Sequence, residues 1–159
     1  MFKKLDEKGL KIIYDHLKPV VYKANSYIIK EGEPLEFMLF VTHGTVWTFE
    51  TSKRSERNTI SVKPLHRGEL YGEEVVTWSM RFGSYSSYPV STKTVKSHTK
   101  VEAFVLKAKD MKAIASKSWT LFRKLPRSTE SNAKLYTSAA ASAIQDSWRS
   151  HRKKKAKIQ

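Results

Sequence analysis

Cysteine is absent from all 159 residues, so the chain has no disulfide framework and no thiolate metal site, a composition that fits a reducing compartment. Long apolar runs are missing as well. The longest, Phe37 to Val41, is far short of the roughly 18 residues that a membrane-crossing helix requires. The opening Met1-Phe2-Lys3-Lys4-Leu5-Asp6 lacks the apolar core of a signal peptide, so export is not expected. The five histidines, His16, His43, His66, His98 and His151, are scattered, and none forms a His-x-His or His-x-x-x-His pair. A metal-dependent enzyme built on a small β-roll is therefore disfavoured. No Ser, His and acid constellation stands out either, and no catalytic residue is assigned.

Acidic residues are also scarce, 15 against 30 Lys and Arg, and the resulting charge of +15 is unevenly placed. Residues 1–106 hold 16 basic and 12 acidic side chains, a balance of +4, whereas residues 107–159 hold 14 and 3, a balance of +11. The charge sits in the tail. Such a tail attracts nucleic acid, anionic lipid or an acidic protein, and charge alone does not choose among them.

What is present is the texture of one soluble, folded core with an extension: 40% hydrophobic and 28% charged residues over a length suited to one domain. Leu10, Ile13, Tyr14 and Leu17 recur at helical spacing behind a capping Asp6, and Pro19 is expected to stop that helix. From Val20 to Leu106 the pattern becomes short apolar or alternating runs cut by turn residues. These are Ser26 to Lys30, Phe37 to Val41, Thr45 to Phe49, Thr59 to Val62 and Thr92 to Leu106. Many short strands at this spacing predict an antiparallel roll or barrel. From Lys109 the helical period returns, with Met111, Ile114, Ala115, Trp119 and Phe122 on one stripe until Pro126. A further helix is expected from about Thr129 into the Lys-rich end. The organisation expected is a domain over 1–125 followed by a basic helix over 126–159.

One segment breaks the strand pattern: Gly68-Glu69-Leu70-Tyr71-Gly72-Glu73-Glu74-Val75-Val76-Thr77-Trp78, two glycines leading into a single helical turn. Backbone of this kind presents several N–H groups in one direction and is suited to holding a phosphate. Alone it is more often simply a turn, and glutamates in a first helical turn are explained by the helix dipole. Ser79 to Tyr88, rich in Ser, Tyr and Gly, reads as a surface loop.

The order of elements adds to this. A leading helix, a β-roll with one short helix among its strands, and C-terminal helices together resemble the cyclic-nucleotide-binding domain family, most closely that of plant cyclic-nucleotide-gated channels. The residues carrying the resemblance are Leu17-Lys18-Pro19-Val20, Asn25 to Gly32, Met38-Leu39-Phe40-Val41, Gly72-Glu73-Glu74 with Thr77-Trp78, Ser91-Thr92-Lys93-Thr94-Val95, and Val101-Glu102-Ala103-Phe104. It implies an α+β fold, an antiparallel, jelly-roll-like β-roll with a short phosphate-binding helix inside and helices flanking it. It also implies a ligand, cAMP or cGMP, and no cofactor. The backbone around Gly72 and Glu73 would hold the cyclic phosphate, with Glu74, Ser91 and Thr92 beside it, and Glu73 would accept a hydrogen bond from the ribose 2′-hydroxyl. Many branches of the family place an Arg at the start of the following strand to pair with the phosphate, and here Ser91 stands there. A charge-assisted bidentate contact is worth about 1.5 to 3 kcal/mol, so its loss weakens binding roughly ten to a hundredfold. Lys93 shares Ser91's face if the strand is regular.

Near the end, Ala139 to Lys154 resembles an IQ motif, the calmodulin-binding pattern, through Ile144-Gln145, Arg149, Ser150 and Lys154. Ser150 replaces the usual Gly. Ile144 and Trp148 stand four apart, giving an apolar stripe with an aromatic anchor, and Arg149, Arg152 and Lys153 supply charge for an acidic partner. The expectation is a cytosolic regulatory region of a plant-type channel without its pore, at the cytoplasmic face of the plasma membrane if part of a channel and cytoplasmic if standalone, with calmodulin and channel subunits as partners. The alternatives are a standalone or vestigial interaction module that no longer binds nucleotide, and a nucleic-acid-binding regulator. The second needs a helix-turn-helix after the long helix, and the 33 residues beyond Pro126 leave no room for one, so no specific nucleic acid is expected.

Overall fold

The computed structural model describes residues 7–52, 59–80 and 87–117. The chain enters through α1 (Glu7–His16), then runs through β1 (Lys18–Tyr22), β2 (Tyr27–Ile29), β3 (Phe37–His43), β4 (Val46–Ser52), β5 (Thr59–Leu65) and β6 (Leu70–Tyr71). The short helix α2 (Glu74–Ser79) follows, and β7 (Thr94–Ser97), β8 (Val101–Lys107) and α3 (Ala108–Lys117) complete it. The strands form two four-stranded sheets ordered β1-β8-β3-β6 and β2-β7-β4-β5, antiparallel at every pairing. This is the expected α+β roll with one short helix among its strands.

The core lies between the sheets and under the helices. Period-two alternation turns Val46 and Thr48 of β4 and Val95 and Ser97 of β7 inward, each at most 5% exposed. The run Met38-Leu39-Phe40-Val41 is buried at every position, so β3 is covered on both faces. Met111, Ile114 and Ala115, predicted as one helical stripe, are buried on α3, which packs against α1 and α2.

Several boundaries differ from expectation. Proline 19 does not stop α1; that helix ends at His16, and Pro19 lies within β1, paired with Phe104. Pro64 likewise stands within a strand, β5, as the partner of Trp47. Both prolines stand on strands at a sheet edge, where a missing N–H is tolerated. The run Thr92 to Leu106 is two strands joined at His98–Lys100, and Ser79 belongs to α2 rather than to the loop after it. Trp119, Phe122, the boundary at residue 126 and the expected basic helix lie outside the described residues.

Candidate functional site

Gly72 turns the chain from β6 into α2 at φ +93°, a left-handed conformation that glycine adopts without strain. A Cβ there would lie 2.9 Å from the Phe37 carbonyl oxygen and 3.3 Å from Met38 Cα, so the turn presses on the first residues of β3 and leaves no space for a side chain. Glu73 caps α2 at φ −59°, ψ −21°. The N–H groups of Val75 and Val76 donate to the carbonyls of Gly72 and Glu73, each at 3.0 Å. Gly72, Glu73 and Glu74 thus form one tight turn, fixed from behind by β3.

Facing it is the segment that enters β7. The Tyr71 and Ser91 hydroxyl oxygens are 2.8 Å apart, and Ser91 Oγ donates to the Lys93 carbonyl at 2.7 Å. Because the single Ser91 proton goes to that carbonyl, the Tyr71 phenol is the donor to Ser91. Ser91 Oγ also accepts the Lys93 N–H at 3.4 Å. Ser91 is 1% exposed, so its side chain is committed to joining the two segments. Its backbone does the same towards residues 31–35: Ser91 N–H donates to the Glu33 carbonyl at 2.9 Å, and Gly32 N–H donates to the Ser91 carbonyl at 2.8 Å.

Burial holds the Tyr71 phenol above its ordinary pKa, and the nearby Glu74 carboxylate pushes in the same direction, while hydrogen bonding with the Ser91 and Thr92 side chains and the Lys93 backbone opposes them. Glu74, Ser91, Thr92 and Lys93 therefore all lie near the Tyr71 phenol. Glu74 Oε2 is buried and has no hydrogen-bond partner among the described residues, which leaves an unused acceptor beside the turn. Thr92, by contrast, is exposed at the rim. Lys93 Nζ lies 3.4 Å from Glu50 Oε2 of β4.

At the far end of α2, Trp78 is wedged against Tyr88, with ring centroids 5.3 Å apart, and its Nε1 donates to the Ser87 carbonyl at 3.0 Å. Lys112 Nζ of α3 sits 4.7 Å from the centre of the same ring, a cation–π contact between the helices.

The structure thus brings together all five residues assigned to the ligand site, Gly72, Glu73, Glu74, Ser91 and Thr92, with Ser91 buried against Tyr71. Sequence reasoning missed Tyr71 and Glu50. The signal for Tyr71 was an aromatic with a polar tip directly before the second glycine; nothing local marked Glu50. Ile144, Gln145, Trp148, Arg149 and Lys154 lie outside the described residues. Among the described residues no cluster of His, Asp and Glu could hold a metal, and no helix is long and apolar enough to cross a membrane.

The sequence profile of the cyclic nucleotide-binding domain family matches residues 19–118, the span that contains both faces of this site. The chain belongs to that family. Among solved structures, this cyclic-nucleotide-binding domain is similar to the cNMP-binding domain of an Arabidopsis thaliana cyclic nucleotide-regulated ion channel, at 35% identity and a TM-score of 0.64, covering 80% of this chain and 90% of that one. Curated relatives are plant channels: cyclic nucleotide-gated ion channel 1 of Arabidopsis thaliana is 39% identical over 98% of this chain, and putative channel 13 is 38% identical over the same share. The chain spans 22% of the length of each.

Proposed function

We propose that this chain is the cyclic-nucleotide-responsive regulatory region of a plant-type cation channel, acting by binding rather than catalysis. It takes cAMP or cGMP between the Gly72-Glu73-Glu74 turn and the Ser91-Thr92-Lys93 segment. The observation that carries the reading is the family match across residues 19–118, which encloses a turn that only glycine can make. In this reading the turn receives the cyclic phosphate, Glu73 accepts from the ribose 2′-hydroxyl, and Thr92 contacts the ligand at the rim. Ser91 acts through Tyr71, keeping the two faces at a fixed separation. With no guanidinium at position 91, affinity is expected to be micromolar or weaker. Calorimetry with cAMP and cGMP tests this: native protein should release binding heat that Glu73→Ala loses. Identical heat in the two proteins would place the ligand elsewhere, and no heat in either would favour a vestigial domain.

We also propose that residues 134–155 bind calmodulin, through Ile144 and Trp148 as apolar anchors, Arg149 and Lys154 as charged contacts, and Gln145 within the motif. The support is the IQ-type sequence, together with an alignment to channel relatives that covers 98% of the chain and so includes this segment. Truncating a central aromatic anchor commonly costs 2 kcal/mol or more, so Trp148→Ala should weaken peptide binding about thirtyfold, whereas Lys157→Ala should do little. A pull-down at low and high salt, with and without Ca²⁺, checks it. Equal behaviour of the Trp148→Ala and native peptides would reduce the interaction to charge alone. Association with other channel subunits at the cytoplasmic face of the plasma membrane completes the proposal.

A further inference from the structure

The last paired couple between β4 and β7 is Phe49 with Thr94, and one step beyond it stand Glu50 and Lys93. Strand alternation puts Glu50 on the side of Val46 and Thr48, the inward face of β4, and Lys93 stands in the bend just before β7. There Lys93 Nζ meets Glu50 Oε2 at 3.4 Å, with the lysine side chain 28% and the glutamate 47% exposed. The backbone of Lys93 is held on both sides by the Ser91 hydroxyl, which is in turn held by Tyr71, the residue before Gly72. Elsewhere among the described residues, His43 and Lys100 approach Glu102 through side chains at least 52% exposed.

These placements create a conflict of charge. Lys93 is the cation of the Ser91-Thr92-Lys93 segment, and its ammonium is already paired with the Glu50 carboxylate, so an anionic phosphate reaching that segment must compete with Glu50 for it. We propose that Lys93 and Glu50 form a displaceable latch. The nucleotide phosphate binds by taking the Lys93 ammonium from Glu50, so Lys93 is the phosphate's charge partner and Glu50 its built-in competitor. This rests on the cyclic-nucleotide reading above. Lysine suits the part, since its point charge on a flexible stem can swing while the backbone stays anchored. The pair is also weak enough to yield: half-exposed ion pairs contribute little, whereas a charge-assisted contact to phosphate is strong.

The test is calorimetry of the full chain with cAMP, and with adenosine as a probe that lacks the phosphate. Glu50→Gln should tighten cAMP binding by about threefold, the range set by a half-exposed ion pair. Misfolding cannot produce that gain. Lys93→Met, which keeps the stem, should weaken cAMP binding by about tenfold or more and leave adenosine unaffected. In the Lys93→Met background, Glu50→Gln should have no further effect, because its partner is gone. If cAMP binds the native chain and is lost with Glu73→Ala, yet Glu50→Gln and Lys93→Met both bind as the native chain does, the latch is overturned and the nucleotide site stands. If native protein binds no cAMP, both fall. Equal weakening of cAMP and adenosine by Lys93→Met would make Lys93 a general support of the pocket and overturn its role as charge partner.

Discussion

Two left-handed glycines separate the cost of backbone conformation from that of crowding. Gly32 (φ +86°) has nothing within 4 Å of an added Cβ, whereas Gly72 (φ +93°) has backbone atoms of Phe37 and Met38 in the way. Gly32→Ala should therefore cost only the left-handed penalty, about 1–2 kcal/mol. Gly72→Ala should cost more and displace the turn from β3, weakening cyclic-nucleotide binding as well. Chemical denaturation of the two variants compares them directly. Tyrosines give a second prediction at this scale. Burial raises the pKa of both Tyr22 and Tyr71. A raised folded-state pKa adds stability that is complete below the unfolded value, near 10, and lost as pH rises through the folded one. Alkaline denaturation should accordingly be less steep in Tyr22→Phe and Tyr71→Phe, most so in the double variant.

Among the elements, the joint between β1 and β2 depends on one distant residue. Ser97 Oγ of β7, fully buried, contacts the Lys23 carbonyl at 2.6 Å, the Ser26 N–H at 2.8 Å and the Ser26 carbonyl at 3.1 Å. Ser97→Ala takes this contact from the part-buried Lys23 carbonyl and Ser26 N–H, while the Ser26 carbonyl keeps the Ser97 N–H, and thermal unfolding should report a loss of about 1 kcal/mol. This joint also shows how far the sequence could be read. Elements that carry their own periodicity, such as α3 with Met111 and Ile114 or β3 with its apolar run, were legible, and so was the Gly72 turn. What escaped depends on neighbours far along the chain. Whether Pro19 and Pro64 end an element or sit within one depends on which strands lie at an edge, a property of topology. The Tyr71 to Ser91 contact spans 20 residues and Glu50 to Lys93 spans 43, so neither leaves a local pattern.

For the whole molecule, ligand and charge should leave separate marks on stability and binding. A ligand at a hundred times its dissociation constant stabilises the folded state by about 2.7 kcal/mol, which in a domain of this size raises the melting temperature by roughly 5–10 °C. Calorimetric scans at rising cAMP should show this shift, and Glu73→Ala should remove it. The +11 balance of residues 107–159 acts on other partners. It should give a weak affinity for DNA that falls steeply between low and moderate salt in a titration.

The two sheets of an open roll leave four edges, and each is treated in one of two ways. Beta 2 and β6 are three and two residues long, too short to template another strand. Beta 1 and β5 are longer, and each carries a Lys-Pro pair, Lys18-Pro19 and Lys63-Pro64, which puts a charge and a rigid ring where a foreign strand would add. The risk is real on β5, where Ile60 and Val62 are 64% and 44% exposed. These edges are therefore built to resist aggregation when copies of the domain are crowded together. Replacing Pro64 with Val should leave the roll folded yet shorten the lag before light scattering rises on gentle heating.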